Sequence, residues 1–309
     1  MITQDKVKAI SPQKLNQWIE EKRSFFLIDT LLDDHFRKIH LPGALNACVF
    51  QVTFMDQIKA LTEDKNATIV LYGSSSRSMD AITAGQKLYE NGYEQFQILQ
   101  GGIEAWRETG FPVAGDAIEV SSDPETLLTL ENRAYRVDTD QSTIQWWGRN
   151  PNTTHFGNVQ ISKGELTAKD GMITGTFDIE MDSITNINLE GDELQPVLIA
   201  HLKSEDFFLT RLFPKAVFTI TNAAPIETPF LSIPNYHVNG SLQIRGIEAE
   251  QDFMSTINKT AENDLVAEAH FDIDRTRWDV IYGSARFFEY LGMHLVFDVI
   301  SFQVRIIAR

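Results

Sequence analysis

The stretch Ile69-Val-Leu-Tyr-Gly-Ser-Ser-Ser-Arg-Ser-Met-Asp80 decides the fold of the first half of the chain. Four apolar residues end at Gly73, a cluster of small polar residues follows, and a helical pattern begins near Ala81. This order is typical of a buried β-strand that runs into a loop and then into a helix. Loops of this shape present a nucleophile or hold an anion, so residues 73–78 are the first candidate site.

Similar short apolar runs flank this stretch on both sides. Phe25–Asp29 and Gln95–Leu99 are candidate strands like Thr68–Tyr72, and Ala81–Tyr89 has apolar residues at helical spacing. Asn91-Gly92 then closes the helix. Strands that alternate with helices in this order predict parallel pairing and an α/β sheet.

From about Tyr135 the apolar period changes to two. Tyr236–Ile244, Ala267–Ile273 and Phe297–Ile306 each place apolar residues on one side and polar residues on the other. About eight such segments follow one another, with a helical interruption at roughly Leu194–Phe208. The pattern predicts an all-β antiparallel unit, either a barrel or a sandwich, of eight strands.

Length and charge support this division. A chain of 309 residues exceeds a typical single core, and its net charge is −2 over residues 1–115 but −14 over residues 116–309. We therefore predict an α/β domain at residues 1–115, a linker at 116–133 and an all-β domain at 134–309. The overall charge of −16 argues against nucleic acid and against docking on an anionic membrane by charge alone.

The N-terminal residues lack the pattern of a signal peptide, and no apolar run approaches the roughly 20 residues of a membrane span. We expect a cytoplasmic protein without a membrane span. The single cysteine, Cys48, excludes an intrachain disulfide. The histidines show no metal-ligand spacing, so we expect no metal and no cofactor.

The first half resembles a rhodanese domain over about residues 8–113. The resemblance rests on Leu27–Asp29, His40–Asn46, Ile69–Tyr72 and Leu99–Trp106. In that family the residue after the third of these pieces is the catalytic cysteine, which carries a persulfide. Here Gly73 stands at that position. The resemblance therefore implies the rhodanese fold without its catalytic residue.

Chemistry gives the consequence of that replacement. A persulfide needs a polarisable thiolate, which neither glycine nor serine can supply. Cys48 lies elsewhere in the family's fold and is expected to be a small buried hydrophobe. We expect no catalytic residue and no sulfurtransferase activity. Two readings of the loop stay open: a simple turn that caps the helix, or an anion-binding loop. The candidate anion-binding residues are Gly73, Ser74, Ser75, Ser76, Arg77 and Ser78.

Residues 134–309 resemble a YceI-type domain, a lipocalin-like barrel family associated with isoprenoid and other long apolar ligands. The pieces that carry the resemblance include Tyr135–Asp138, Ser142–Trp146 and above all Leu202–Phe208 with Phe213–Thr219. Ile226–Pro234 departs from it as an apparent inserted loop. The resemblance implies an eight-stranded antiparallel barrel with a lipid-binding lumen.

An eight-stranded barrel either fills with side chains or holds one small ligand. Aromatic residues cluster near the helical segments of this half, and for any one of them alone core packing is the better explanation. As a set, they are the candidate ligand-binding residues: Trp146, Phe207, Phe208, Phe213, Phe218, Phe287, Phe288 and Tyr290.

The favoured function is therefore non-catalytic binding of a long-chain apolar or amphipathic molecule that is isoprenoid-, quinone- or fatty-acid-like. The rhodanese-like domain would serve recognition or regulation, with a protein partner. Two alternatives remain from other classes. One is a ligand-free interaction scaffold with a filled barrel, and the other is an enzyme that acts through the loop of residues 73–78.

Overall fold

A computed structural model describes residues 8–116, 128, 130–227, 232–260 and 262–309. The chain divides into two compact units. Most of the linker predicted at residues 116–133 lies outside the described residues, as does part of the predicted insertion at 226–234, so the boundaries of both stay predictions. Among the described helices, none has the length and apolar character needed to span a membrane.

The first unit is a five-stranded parallel sheet flanked by helices, as the alternation of strand and helix patterns predicts. Numbered along the chain, its strands are β1 (Lys8–Ile10), β2 (Phe26–Asp29), β3 (Leu45–Asn46), β4 (Ile69–Tyr72) and β5 (Phe96–Leu99). Within the sheet they lie in the order β1-β5-β4-β2-β3. The helices are α1 (Pro12–Glu20), α2 (Asp33–Lys38), α3 (Phe54–Leu61), α4 (Asp80–Glu90) and α5 (Gly102–Glu108).

Strand β4 occupies the centre of this sheet, and its four residues are all fully buried. Ile69 and Leu71 belong to the core on one face, while Val70 and Tyr72 belong to the core on the other. A parallel strand with helices on both faces has no solvated side, which explains its continuous apolar run. The loop after β4 therefore leaves the centre of the sheet at the carboxyl end.

The second unit is an antiparallel sheet closed into a barrel. Its strands are β6 (Arg133–Arg136), β7 (Thr143–Arg149), β8 (Thr154–Lys169), β9 (Met172–Glu180), β10 (Lys215–Pro225), β11 (Tyr236–Ile244), β12 (Ile247–Lys259), β13 (Leu265–Asp274) and β14 (Val299–Ala308). Closure depends on β8, whose first half pairs with β7 and whose second half pairs with β9. The ring of eight is β8-β7-β14-β13-β12-β11-β10-β9, and β6 pairs with the far half of β8.

Two long connections lie at the same end of the barrel, because neighbouring antiparallel strands reverse direction. Residues 181–214 join β9 to β10 and contain α6 (Leu194–Lys203), which confirms the predicted helical interruption. Residues 275–298 join β13 to β14 through two short 3₁₀ turns. We call this end of the barrel, with the short turns at 150–153 and 245–246, the capped end.

Candidate functional site

The barrel encloses a cavity of about 360 Å³. Inward-facing side chains of all eight strands of the ring line it, together with residues of the two long connections. The lining is almost entirely aliphatic and aromatic. The volume and the lining match those of small-molecule binding sites, which are mostly apolar clefts of about 300–1,000 Å³.

Six aromatic rings from six strands form a belt around this cavity. We call the following set the aromatic belt: Trp146, Phe177, Phe218, Phe253, Phe271 and Phe302. The Phe253 and Phe271 rings stack with their centres 4.2 Å apart, and each has a further belt ring with its centre at 5.7 Å. The belt therefore presents π-faces and ring edges around most of the lumen.

The register of the strands puts these rings side by side. Phe218 lies opposite Phe177 on the neighbouring strand, and Phe302 lies opposite both Phe271 and Trp146. Strand β11 contributes Gly240 instead of a ring, and a Cβ atom there would lie 2.7 Å from the Phe218 ring. Cross-strand pairing thus positions the belt, and the glycine leaves room for its rings.

The belt does not plug the barrel. Phe218, Phe253, Phe271 and Phe302 are only partly buried although they point inward. Their remaining exposed surface faces the cavity, because these rings lack partners on the lumen side. A filled barrel would leave such inward side chains fully buried. The structure therefore favours an open lumen over the filled-barrel alternative.

Polar groups that border the cavity concentrate at the capped end. His201 of α6 and His294 of the β13–β14 connection both line it. His201 Nε2 lies 3.0 Å from Asp206 Oδ2, and its ring packs edge-on against Tyr282. The Tyr282 hydroxyl lies 3.4 Å from His294 Nδ1. This chain of contacts also ties the two long connections to each other.

A third histidine, His155, lines the cavity from the start of β8, with its Nδ1 3.3 Å from the Asn188 side-chain amide. Farther inside, Gln251 and Ser255 are the polar exceptions in an apolar lining. The Ser255 hydroxyl donates to a backbone carbonyl at 3.0 Å. Within the described residues, no group of histidine, cysteine or acidic side chains has metal-binding geometry. The cavity is thus apolar inside and polar at its capped end.

Arg275 organises the β13–β14 connection. Its guanidinium is almost fully buried and donates to the backbone carbonyls of Val280, Val296 and Phe297. It also lies 3.5 Å from Asp298 Oδ1. A buried cation that satisfies three carbonyls of one segment holds that segment in a defined conformation. Arg275 therefore holds the β13–β14 part of the cap in place.

Four of the eight aromatic residues predicted to bind ligand line the cavity: Trp146, Phe207, Phe208 and Phe218. The other four do not. Phe287, Phe288 and Tyr290 lie on the outer surface of the cap, where Tyr290 is fully exposed. Phe213 packs over Gly246 in the β11–β12 turn. Which of the eight contact a ligand stays a prediction.

Sequence reasoning missed four members of the belt, namely Phe177, Phe253, Phe271 and Phe302. The signal for the last two was present, since the period of two places them on the same side as their apolar neighbours. Proximity to the helical segments selected Phe207 and Phe208, which line the cavity, but also Phe287, Phe288 and Tyr290, which do not. Inward position along a strand identifies the belt residues, whereas position in an irregular connection does not separate inward from outward side chains.

The loop after β4 has a different kind of site. The Asp80 carboxylate, which is buried, accepts hydrogen bonds from the Ser74 backbone N–H at 3.1 Å, the Ser74 hydroxyl at 3.2 Å and the Ala81 N–H at 2.8 Å. A Cβ atom built on Gly73 would lie only 1.9 Å from Asp80 Oδ1. The space for a side chain at position 73 is therefore occupied by a carboxylate of the chain itself.

This arrangement bears on the predicted anion-binding loop. The backbone N–H and the hydroxyl of Ser74 already donate to Asp80, whose negative charge repels a second anion. Arg77 is largely exposed and lies 3.8 Å from Glu104 Oε1. The Ser75 hydroxyl accepts from the Arg77 N–H at 3.2 Å and so stabilises a local turn. These contacts favour the interpretation of the loop as a simple turn before the helix, and anion binding by the loop stays a prediction.

Two further groups of this unit are buried. Cys48 is 1% exposed, as expected for a small hydrophobe. Asp29 at the end of β2 is fully buried, and its Oδ1 accepts from the Leu31 N–H at 2.8 Å. Burial raises the pKa of the Asp29 carboxyl to about 6 against the opposing effect of this hydrogen bond.

Comparison with protein families gives two matches. Residues 135–308 match the model of the YceI-like domain, and residues 11–109 match that of the rhodanese-like domain. No curated protein sequence matches the chain.

Solved structures are similar to each half. Burkholderia cenocepacia BcnA is 18% identical, with 56% of this chain and 99% of that chain covered and a TM-score of 0.45. A polyisoprenoid binding domain from Saccharophagus degradans, implicated in plant cell wall breakdown, is 10% identical over 57% of this chain and 97% of that chain, with a TM-score of 0.39. A rhodanese-like domain from Anabaena is 21% identical over 40% of this chain and 93% of that chain, with a TM-score of 0.32.

Proposed function

Because the chain belongs to the YceI-like family and carries a rhodanese-like domain ahead of its barrel, we propose that it binds a long-chain molecule in the barrel without chemical change. The ligand is isoprenoid-, quinone- or fatty-acid-like. The rhodanese-like domain serves as a recognition or regulatory module for a protein partner.

The observation that carries this proposal is the open cavity with its aromatic belt. Burial of each methylene contributes about 0.8 kcal/mol, so ten methylenes contribute on the order of 8 kcal/mol. That energy corresponds to a Kd of about 1 μM before the costs of ordering the ligand are subtracted. A longer chain compensates for those costs without any polar contact.

The distribution of polar groups defines the ligand further. His155, His201 and His294 border the cavity at the capped end, whereas the interior is apolar. A chain with one polar end satisfies both regions when its tail lies inside the barrel and its head lies beneath the cap. This orientation supports an amphipathic ligand over a plain hydrocarbon.

We infer that the rhodanese-like domain is not a sulfurtransferase. Gly73 stands where that family has its cysteine, and the only cysteine of the chain, Cys48, is buried. The Asp80 carboxylate fills the space beside Gly73 and would repel a persulfide or thiosulfate anion. Loss of chemistry with retention of the fold supports a role in protein recognition.

The test is native mass spectrometry of the full chain, followed by organic extraction and lipid mass analysis. The matched variants are Ala267→Trp, which projects an indole into the cavity, and His270→Trp, which places the same ring on the outer face of the same strand. A stoichiometric long-chain species is expected in the wild type and in His270→Trp, and at least about tenfold less in Ala267→Trp.

Two results of this experiment would contradict the proposal. A clean apo mass that added long-chain alcohols, quinones and fatty acids all fail to shift would leave the barrel as a scaffold. Equal loading of both tryptophan variants would show that any bound lipid lies outside the cavity. Circular dichroism of each variant establishes that the fold is intact.

A further inference from the structure

The outer surface of the capped end is apolar to an unusual degree. Among the described residues of the barrel unit, fourteen large apolar side chains are exposed, and eleven of them lie at the capped end. The three exceptions are Met172, Ile233 and Met254. A scattered distribution would need no explanation, but concentration at one end marks an interaction surface.

Six of these exposed side chains at the capped end are together called the mouth patch. They come from both long connections: Leu194, Val197, Phe287, Phe288, Tyr290 and Met293. Leu194 and Val197 are three residues apart on α6 and so share one exposed face of that helix. Tyr290 has φ of 56°, a left-handed conformation that costs energy for a tyrosine, and its side chain is fully exposed.

The mouth patch is continuous with the cavity. Met293 lines the cavity and is at the same time 86% exposed, and Phe297 beside it also lines the cavity while 44% of its surface is exposed. The lumen therefore reaches the surface within the patch. Any molecule that enters the barrel at this point passes directly over apolar side chains.

We propose that the mouth patch docks on the surface of a lipid bilayer, so that the ligand passes between membrane and barrel without crossing water. This inference rests on the proposed function, since a long-chain ligand of the class described above is dissolved in membranes. Phenylalanine and tyrosine suit the boundary between headgroups and acyl chains, where an apolar ring and a polar tip are both accommodated.

Charge selects the type of membrane. The two long connections, residues 181–214 and 275–298, together carry 5 Lys+Arg and 9 Asp+Glu, a net of −4, and residues 116–309 carry a net charge of −14. Such a surface gains nothing from anionic lipid and is repelled by it. The matching partner is therefore a bilayer of zwitterionic lipid, bound through apolar area alone.

The experiment is co-flotation of the full chain with phosphatidylcholine vesicles. The test variant is Leu194→Ser/Val197→Ser, whose two positions are exposed on α6 and do not line the cavity. The control variant is Phe50→Ser/Val52→Ser, which removes two similarly exposed apolar side chains from the first unit. We expect at least about a tenfold lower vesicle partition for the test variant, with no change for the control.

Five outcomes decide the matter. Docking is supported if the test variant still loads ligand delivered from solvent but extracts it more slowly from vesicles. Equal flotation of wild type and test variant overturns it, as does stronger flotation when anionic lipid is added. A patch-dependent dimer in light scattering would assign the surface to a second copy and also overturn it. Flotation of a chain that loads no ligand from solvent would leave docking standing while the carrier function fails.

Discussion

Replacement of Gly73 by alanine tests whether Asp80 occupies the loop. The new methyl carbon would lie 1.9 Å from Asp80 Oδ1 and 2.3 Å from Asp80 Cγ, far below the 3.0 Å at which real contacts begin. The carboxylate cannot retreat freely, because it accepts hydrogen bonds from Ser74 and from the Ala81 N–H. Overpacking of about 1–3 kcal/mol and weaker bonds to a charged acceptor together destabilise the first unit by about 3 kcal/mol.

A double-mutant cycle isolates the contact. Asp80→Ala alone leaves the donors of Ser74 without their acceptor and costs about 1–3 kcal/mol. In that background Gly73→Ala meets an empty space and costs less than about 1 kcal/mol. The coupling energy between the two positions is then about 2 kcal/mol.

The assay is urea unfolding followed by far-ultraviolet circular dichroism. Five of the six described α-helices belong to the first unit, so the helical signal reports chiefly on it. The expected change is a lower midpoint with an unchanged slope. If Gly73→Ala unfolds at the wild-type midpoint, or costs the same with and without Asp80, the carboxylate does not occupy this space and the argument for a self-filled loop is wrong.

Three further results are expected. The Asp29 carboxyl has a pKa of about 6 in the folded protein and of about 3.9 in the unfolded chain. The stability of the first unit should therefore fall by up to about 3 kcal/mol as the pH rises through this window. Urea midpoints of the Asp29→Asn variant should not show this dependence on pH. Arg275→Met leaves three backbone carbonyls of the cap without their donor. Stopped-flow fluorescence should then show at least about tenfold faster release of a long-chain probe. An unchanged release rate would contradict the role of the cap. Cys48 should react with a thiol reagent only after unfolding and should form no persulfide with thiosulfate, since it is 1% exposed; rapid native labelling would contradict this.

The order of the strands and helices could be predicted from the sequence alone. The apolar run of β4 is fully buried because helices cover both faces of the sheet, which is the situation that a continuous run indicates. The period of two in β11, β13 and β14 likewise has its physical cause in one face turned to the lumen and one to solvent. The period of two did not distinguish a barrel from a sandwich, since the strands of both folds alternate inward and outward side chains. Closure depends on β8, whose sixteen residues pair with β7 and then with β9.

The sites were less predictable, for two physical reasons. Irregular connections have no period, so nothing in the local sequence shows that Phe287 points outward while Phe207, in the other connection, points into the cavity. The contact of Gly73 with Asp80 depends on the path of the loop between them. A glycine at that position predicts space for something close, but it does not identify the neighbour that fills the space.

The two units differ in whether the space left by small residues is filled by the chain itself. In the first, a carboxylate of the chain fills the space beside Gly73. In the second, about 360 Å³ stays open, although Ala216, Ala267 and Ala269 line it at positions where larger side chains would fill it. An apolar ligand in the lumen removes this lining from water. Ligand binding and the stability of the barrel are therefore linked, and long-chain ligands that bind should raise its melting temperature.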